Sequence, residues 1–167
     1  PSRGLGDVYK RQVYDRYSKG KLESKLAYHG EYKPYFEYIA DCLKKYSSQR
    51  DKQKGEAFVH GFTLAMTSQN KFYRPISELD NDGGYADIFL SPLCDIYKDM
   101  VDSYIIELKY CKSQTTDEQV KKLFEEASAQ ISRYADSDMV REAVKTTKLH
   151  KLVVIYRGAE MVACEEI

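Results

Sequence analysis

Apolar side chains first recur with a helical period and then with a strand period along this chain. They return every three or four residues over 35–46 and 56–68, a spacing that places them on one face of a helix. Residues 13–29 are polar and rich in lysine, with only a weak helical pattern. The sequence therefore predicts a helical lead-in over residues 13–50.

The remaining chain alternates between apolar and polar positions in short segments, which is typical of strands. The predicted strands span residues 71–79, 85–90, 103–110, 149–156 and 160–165. A glycine-rich turn at 80–84 joins the first two strands, and helices over about 116–135 and 138–144 separate the third strand from the fourth. This order predicts an α/β domain over residues 51–167, in which a mixed β-sheet is flanked by helices.

Composition adds few constraints to this pattern. The 167 residues include 26 basic and 26 acidic side chains, so no global positive field indicates nucleic acid, and any such surface must be a local patch. The four cysteines form no CxxC pair, which favours reduced thiols in a cytoplasmic protein, and no apolar run is long enough to cross a membrane. Residues 1–12 lack any clear period, and we interpret them as a non-native leader.

Charged residues interrupt two of the predicted strands. In the hydrophobic segment 103–110, Glu107 and Lys109 are two residues apart and share one face. Burying such charges is costly unless they are paired or bind a metal. If the strand that contains Asp87 is a neighbour, its carboxylate can meet that of Glu107. Two carboxylates and the backbone carbonyl of Leu108 would form a hard-oxygen site suited to Mg²⁺ or Mn²⁺.

These residues also allow a purely structural interpretation. A metal at the site would polarise a phosphoryl oxygen and acidify a bound water, and Lys109 would orient or deprotonate that water, or stabilise charge in the transition state. Alternatively, Asp87 caps the turn near Gly83 and Gly84, while Glu107 and Lys109 form a cross-strand ion pair at a sheet edge. An acid-x-Lys triplet in a strand does not decide between these alternatives.

The two charged strands together resemble the core of the PD-(D/E)XK nuclease superfamily. The similar segments are GYADI at 84–88 and YIIELK at 104–109, with Ala-Asp in place of the Pro-Asp of the motif. The resemblance implies a restriction-endonuclease-like fold in which Asp87 and Glu107 bind Mg²⁺ or Mn²⁺ and Lys109 assists the water.

Three further residues become candidates through the same resemblance. Gln130 and Tyr134, one helical turn apart, are similar to a Q-x-x-x-Y element that some members place beside the active site, although Tyr134 could equally be a core residue. Glu56 opens the helix before the sheet, where several members place an additional acidic residue near the metal. Its alternative role is a favourable interaction with the helix dipole.

The similarity extends upstream and covers roughly Tyr28 to the C-terminus. Residues 35–90, with GEAFVHG at 55–61, resemble the C-terminal nuclease-like domain of bacterial AAA-ATPase-like proteins, although no G-x-x-x-x-G-K-[ST] loop occurs in this sequence. This resemblance implies metal-dependent hydrolysis of DNA phosphodiesters and a partner AAA-ATPase domain in the same or a related chain. The alternative is a catalytically silent module that binds or regulates such an ATPase.

Overall fold

The computed structural model describes residues 18–47, 55–81 and 84–167, and the side chains of 78–81 and 84–86 are not among the parts described. The helices are α1 (residues 18–29), α2 (Tyr32–Tyr46), α3 (Glu56–Thr67), α4 (Asp117–Tyr134) and α5 (Asp138–Val144). The strands are β1 (Tyr73–Asn81), β2 (Gly84–Pro92), β3 (Asp102–Cys111), β4 (Lys148–Arg157) and β5 (Glu160–Glu166). The leader predicted at 1–12 and residues 82–83 of the predicted turn lie outside the described residues.

The five strands form one mixed sheet in chain order, β1-β2-β3-β4-β5. Only β3 and β4 are parallel, and the other neighbours are antiparallel. A parallel pair needs a crossover connection, and α4 and α5 provide it between the end of β3 and the start of β4. The predicted mixed sheet with flanking helices and a helical lead-in is thus confirmed, and the arrangement is consistent with a restriction-endonuclease-like fold.

Helices cover both faces of the sheet. The central strand, β3, is therefore buried along most of its length. One face packs against α1, α2 and α3, through a cluster that includes Leu26, Ile39, Val59, Ile106 and Leu108. The other face packs against α4 and α5, through a cluster that includes Phe89, Ile105, Ile131, Val140 and Val153. Because alternate residues of β3 point to opposite layers, any charged side chain in this strand must enter one of two hydrophobic cores.

Local signals explain where the elements begin. Thr116 caps α4 by accepting a hydrogen bond from the Gln119 amide, and the Gln119 side chain completes a capping box. Strand β1 begins two residues later than predicted, since the Asn70 side chain accepts from the Phe72 amide at 2.9 Å and holds a turn there. None of the helices in the described part of the chain has the length and apolar character of a membrane span.

Candidate active site

Asp87 lies where β2 separates from β3. The pairing of the two strands ends at Ile88 and Ile106, so Asp87 and Glu107 are the next residues of each strand. Asp87 Oδ2 accepts a hydrogen bond of 2.7 Å from the backbone N–H of Leu108. This bond holds the Asp87 carboxylate against the central strand, beside Glu107. An Asp87 side chain that only capped the turn near Gly83 and Gly84 would not make this contact.

Glu107 and Lys109 form an ion pair within β3. Lys109 Nζ lies 2.8 Å from Glu107 Oε1, and the two side chains are 21% and 2% exposed, respectively. The edge-strand interpretation of this pair is wrong, because β3 lies in the middle of the sheet. Glu107 Oε2 is buried and has no hydrogen-bond partner among the described residues. A buried acceptor without a partner is costly, so this oxygen marks a position that a ligand could fill.

The charges around this pair are coupled. The pKa of Glu107 is raised to about 7, mainly by burial and also by the nearby charges of Asp87 and Glu56, against the opposing hydrogen bond from Lys109. Burial disfavours the charged form of Lys109, but the hydrogen bond to Glu107 and the surrounding carboxylates outweigh this effect and raise the pKa of the amine. The site therefore combines a permanently charged lysine with a carboxyl group that loses its proton only near neutral pH.

Helix α3 brings Glu56 to the same place. Glu56 is exposed at the first turn of α3 and lines a cavity of about 430 Å³ with Ala57, His60, Asp87 and Leu108. The residue before it, Gly55, has a positive φ of 65° and lies against the ring of Tyr110, where a Cβ atom would make an ordinary van der Waals contact at 3.5 Å. The positive φ, which glycine adopts without strain, is what favours glycine at the start of α3.

His60 is a further residue of the site that the sequence patterns did not indicate. Its ring lines the cavity, and its Nε2 lies 3.1 Å from the backbone oxygen of Asp87. The spacing of four residues between Glu56 and His60, which places them on one helical face, is the signal that could have identified it. An isolated histidine, far in sequence from the other two, carried no motif of its own.

Gln130 and Tyr134 lie on α4, which covers the sheet face that contains Ile105. Gln130 is half-buried, whereas Tyr134 is buried in the core of that face together with Ile131 and Ile105. Within the described residues, neither side chain is hydrogen-bonded to Glu107 or Lys109. The packing of Tyr134 matches the core role that the sequence also allowed, and a role of either residue in the site stays a prediction.

The donor set suits a hard cation, although it is incomplete. No three His, Cys, Asp or Glu side chains of the described ranges converge on one point as a preformed metal-binding group. Asp87 and Glu107 nevertheless place two carboxylates together, and one buried oxygen of Glu107 has no other partner in the described part of the chain. Mg²⁺ commonly uses one or two carboxylates with backbone oxygens and water, so these residues fit the ion with the Leu108 carbonyl as a further donor.

The fold and the site together define a nuclease-like α/β domain. A family model of the PD-(D/E)XK nuclease superfamily matches residues 54–166, and the chain belongs to this superfamily. Its members generally hydrolyse phosphodiester bonds and typically use divalent metals. No curated protein and no solved structure matches the chain significantly. The resemblance to the PD-(D/E)XK superfamily that the two charged strands carry is thus confirmed at the level of the superfamily.

Proposed function

We propose that this domain hydrolyses DNA phosphodiester bonds with a divalent metal ion held by Asp87 and Glu107. The observation that carries the proposal is the buried Glu107 Oε2 of the central strand, which has no partner among the described residues and lies near Lys109 of the same strand and Asp87 of β2. Charges buried between hydrophobic layers cost stability unless they are paired or serve a ligand. The superfamily match supplies the chemistry to which such a site belongs.

Mg²⁺ or Mn²⁺ would be bound by the carboxylates of Asp87 and Glu107 and the backbone carbonyl of Leu108, with Glu56 as a further acidic group at the rim. When bound, the ion supplies Lewis acidity toward a phosphoryl oxygen and makes water a better nucleophile at neutral pH. Glu107 must be ionised to act as a ligand, so metal binding would release a proton from a group whose pKa is about 7.

Lys109 has a different role, because an ammonium cannot bind a cation. Its amine lies beside Glu107, is 21% exposed and keeps its charge. From this position it can orient the attacking water and neutralise negative charge that develops on the phosphoryl oxygens. Lys109 thus contributes mainly to the rate and is not itself a metal ligand, and this difference separates its variants from those of Glu107.

A zero net charge favours a second candidate function. Proteins that bind DNA gain much of their affinity from basic residues at the phosphates, and this cavity is lined by Glu56 and Asp87 instead. In this alternative the domain is a silent module that binds or regulates an AAA-ATPase domain. It would bind metal through the same carboxylates but would cut no DNA.

Cleavage of DNA by matched variants separates the candidates. The purified chain would be incubated with supercoiled plasmid and with a single-stranded oligonucleotide, in Mg²⁺, Mn²⁺ or EDTA. We expect slow metal-dependent cleavage that falls at least about 100-fold in Lys109→Met and in Glu107→Gln, the range typical for loss of one catalytic group. The control is Lys145→Met, which removes an exposed lysine paired with Asp95 far from the site and should cut like the wild type.

Each outcome has a defined meaning. If the wild type binds Mn²⁺ but cuts neither substrate, even with an AAA-ATPase domain supplied, the silent-module function replaces the nuclease. Equal cleavage by all variants would identify a contaminating nuclease and would disprove the proposed site.

A further inference from the structure

His60 joins α3 to the two strands that lead into the site. Its Nε2 atom lies 3.1 Å from the backbone oxygen of Asp87 on β2 and 3.4 Å from the hydroxyl oxygen of Ser77 on β1. A backbone carbonyl can only accept a hydrogen bond, so Nε2 carries the proton and donates it. The histidine is half-buried at the wall of the cavity that Asp87 and Leu108 also line.

The bond from His60 acts on the residue at which β2 separates from β3. Ladder pairing between β2 and β3 stops at Ile88, so Asp87 lies beyond the last residue that pairs with β3, whereas β1 pairs with β2 on both sides of Asp87. Two of the contacts of Asp87 bear on its carboxylate: its carbonyl accepts from His60, and its carboxylate accepts from the Leu108 amide. The first contact fixes the backbone from which the carboxylate reaches the second.

We propose that His60 is a positioning residue that holds Asp87 so that its carboxylate stays on β3 beside Glu107. The consequence for metal binding and cleavage rests on the function proposed above, whereas the positioning itself does not. The ring nitrogen that faces Asp87 is Nε2, and because it donates to the Asp87 carbonyl it offers no lone pair to a metal ion on that side. His60 therefore acts through Asp87, in the way that groups around a metal ligand commonly orient it.

A pair of nearly isosteric variants isolates the hydrogen bond. His60→Leu keeps most of the side-chain volume and removes the donor, whereas His60→Gln keeps an N–H donor at a similar reach. The control is His29→Leu, at an exposed histidine of α1, and Asp87→Ala serves as the reference for complete loss of the contact to Leu108. The side chain at position 60 lines a cavity, so neither the leucine nor the glutamine that replaces His60 should clash with its neighbours.

The first readout needs no metal and no activity. Hydrogen exchange of the Leu108 amide reports directly on its bond to the Asp87 carboxylate. Relative to the amides of β4, we expect Leu108 to exchange about ten-fold faster in His60→Leu, as for loss of one hydrogen bond. It should exchange like the wild type in His60→Gln and His29→Leu. Unchanged protection in His60→Leu, with fast exchange in Asp87→Ala, would overturn the proposal.

The second readout is Mn²⁺ affinity by calorimetry. We expect about ten-fold weaker binding in His60→Leu, the usual effect of removing a group that orients a metal ligand, and rescue to within about three-fold in His60→Gln. If His60→Gln is as impaired as His60→Leu in both readouts, the ring itself is required and the positioning role is wrong. If exchange behaves as expected but the wild type binds no Mn²⁺, the positioning stands and the proposed function fails.

Discussion

Replacing Glu107 with glutamine should make the metal-free protein more stable at alkaline pH. The pKa of Glu107 is raised from its ordinary value of 4.5 to about 7, mainly by burial, with smaller contributions from Asp87 and Glu56 and an opposing effect from Lys109. Between these two values the folded state holds a proton that the unfolded state has lost. The stability that Glu107 contributes is therefore complete below pH 4.5 and is lost as the pH rises through about 7.

The size of this effect follows from the same two pKa values. Each pH unit between 4.5 and about 7 corresponds to about 1.4 kcal/mol. The wild type should thus lose up to about 3 kcal/mol from this group on going from about pH 5 to pH 9. Glutamine resembles the protonated acid and does not titrate, so the variant lacks this loss. Lys109 stays charged in both proteins and contributes little to the difference.

Urea denaturation at about pH 5, 7 and 9 in EDTA measures the difference. We expect the two proteins to be equally stable within about 1 kcal/mol at pH 5, and the variant to be more stable by about 3 kcal/mol at pH 9. The control is Glu165→Gln, which breaks the exposed pair with Lys33 and should change stability by less than about 1 kcal/mol at every pH. A Glu107→Gln variant that is less stable at pH 9 would show that the ion pair stabilises the fold, and would refute the reasoning.

Three other perturbations test two further contacts of the fold and the effect of metal on stability. Asp87→Asn keeps an oxygen for the Leu108 amide and should cost under about 1 kcal/mol in urea denaturation, whereas Asp87→Ala should cost about 1–3 kcal/mol. Asp102→Ala removes the partner of buried His150 Nε2, which lies 2.7 Å from Asp102 Oδ1, and should cost about 1–3 kcal/mol without changing Mn²⁺ affinity. Mn²⁺ at about 100 times the wild-type dissociation constant should stabilise the wild type by about 2.7 kcal/mol and Glu107→Gln by no more than about 1.4 kcal/mol, and EDTA should reverse this shift in calorimetric melting. Equal losses in the two Asp87 variants, an unchanged stability of Asp102→Ala, or equal Mn²⁺ shifts in the wild type and Glu107→Gln would contradict these expectations.

Local patterns in the sequence were sufficient to predict the helices and strands, including the strand that contains Glu107. The alternation in 103–110 placed Glu107 and Lys109 on one face, and the observed strand runs from Asp102 to Cys111. The residue order also placed the helical crossover between the third and fourth strands, which the parallel pairing of β3 and β4 requires. These features depend on residues that are close together in the sequence, so they can be predicted from the sequence alone.

Contacts between distant segments could not be predicted in this way. The bond from His60 to the Asp87 carbonyl joins residues 27 positions apart, and the contact of His150 with Asp102 joins residues 48 positions apart. Neither periodicity nor motif spacing encodes which helix face meets which strand end. The separation of β2 from β3 beyond Ile88 could not be predicted either, because it depends on the register in which the two strands pair and not on composition.

Calorimetric titration of the metal-free chain with Mn²⁺ tests the central claim most directly. We expect one site in the wild type, at least about ten-fold weaker binding in Glu107→Gln and Asp87→Asn, and a smaller change in Lys109→Met, which keeps the site because a lysine is not a ligand. Binding at neutral pH should release protons, since Glu107 has a pKa of about 7 and must ionise to bind. A wild type that binds no Mn²⁺, or Glu107→Gln that binds it as tightly as the wild type, would contradict a metal site built on these two carboxylates.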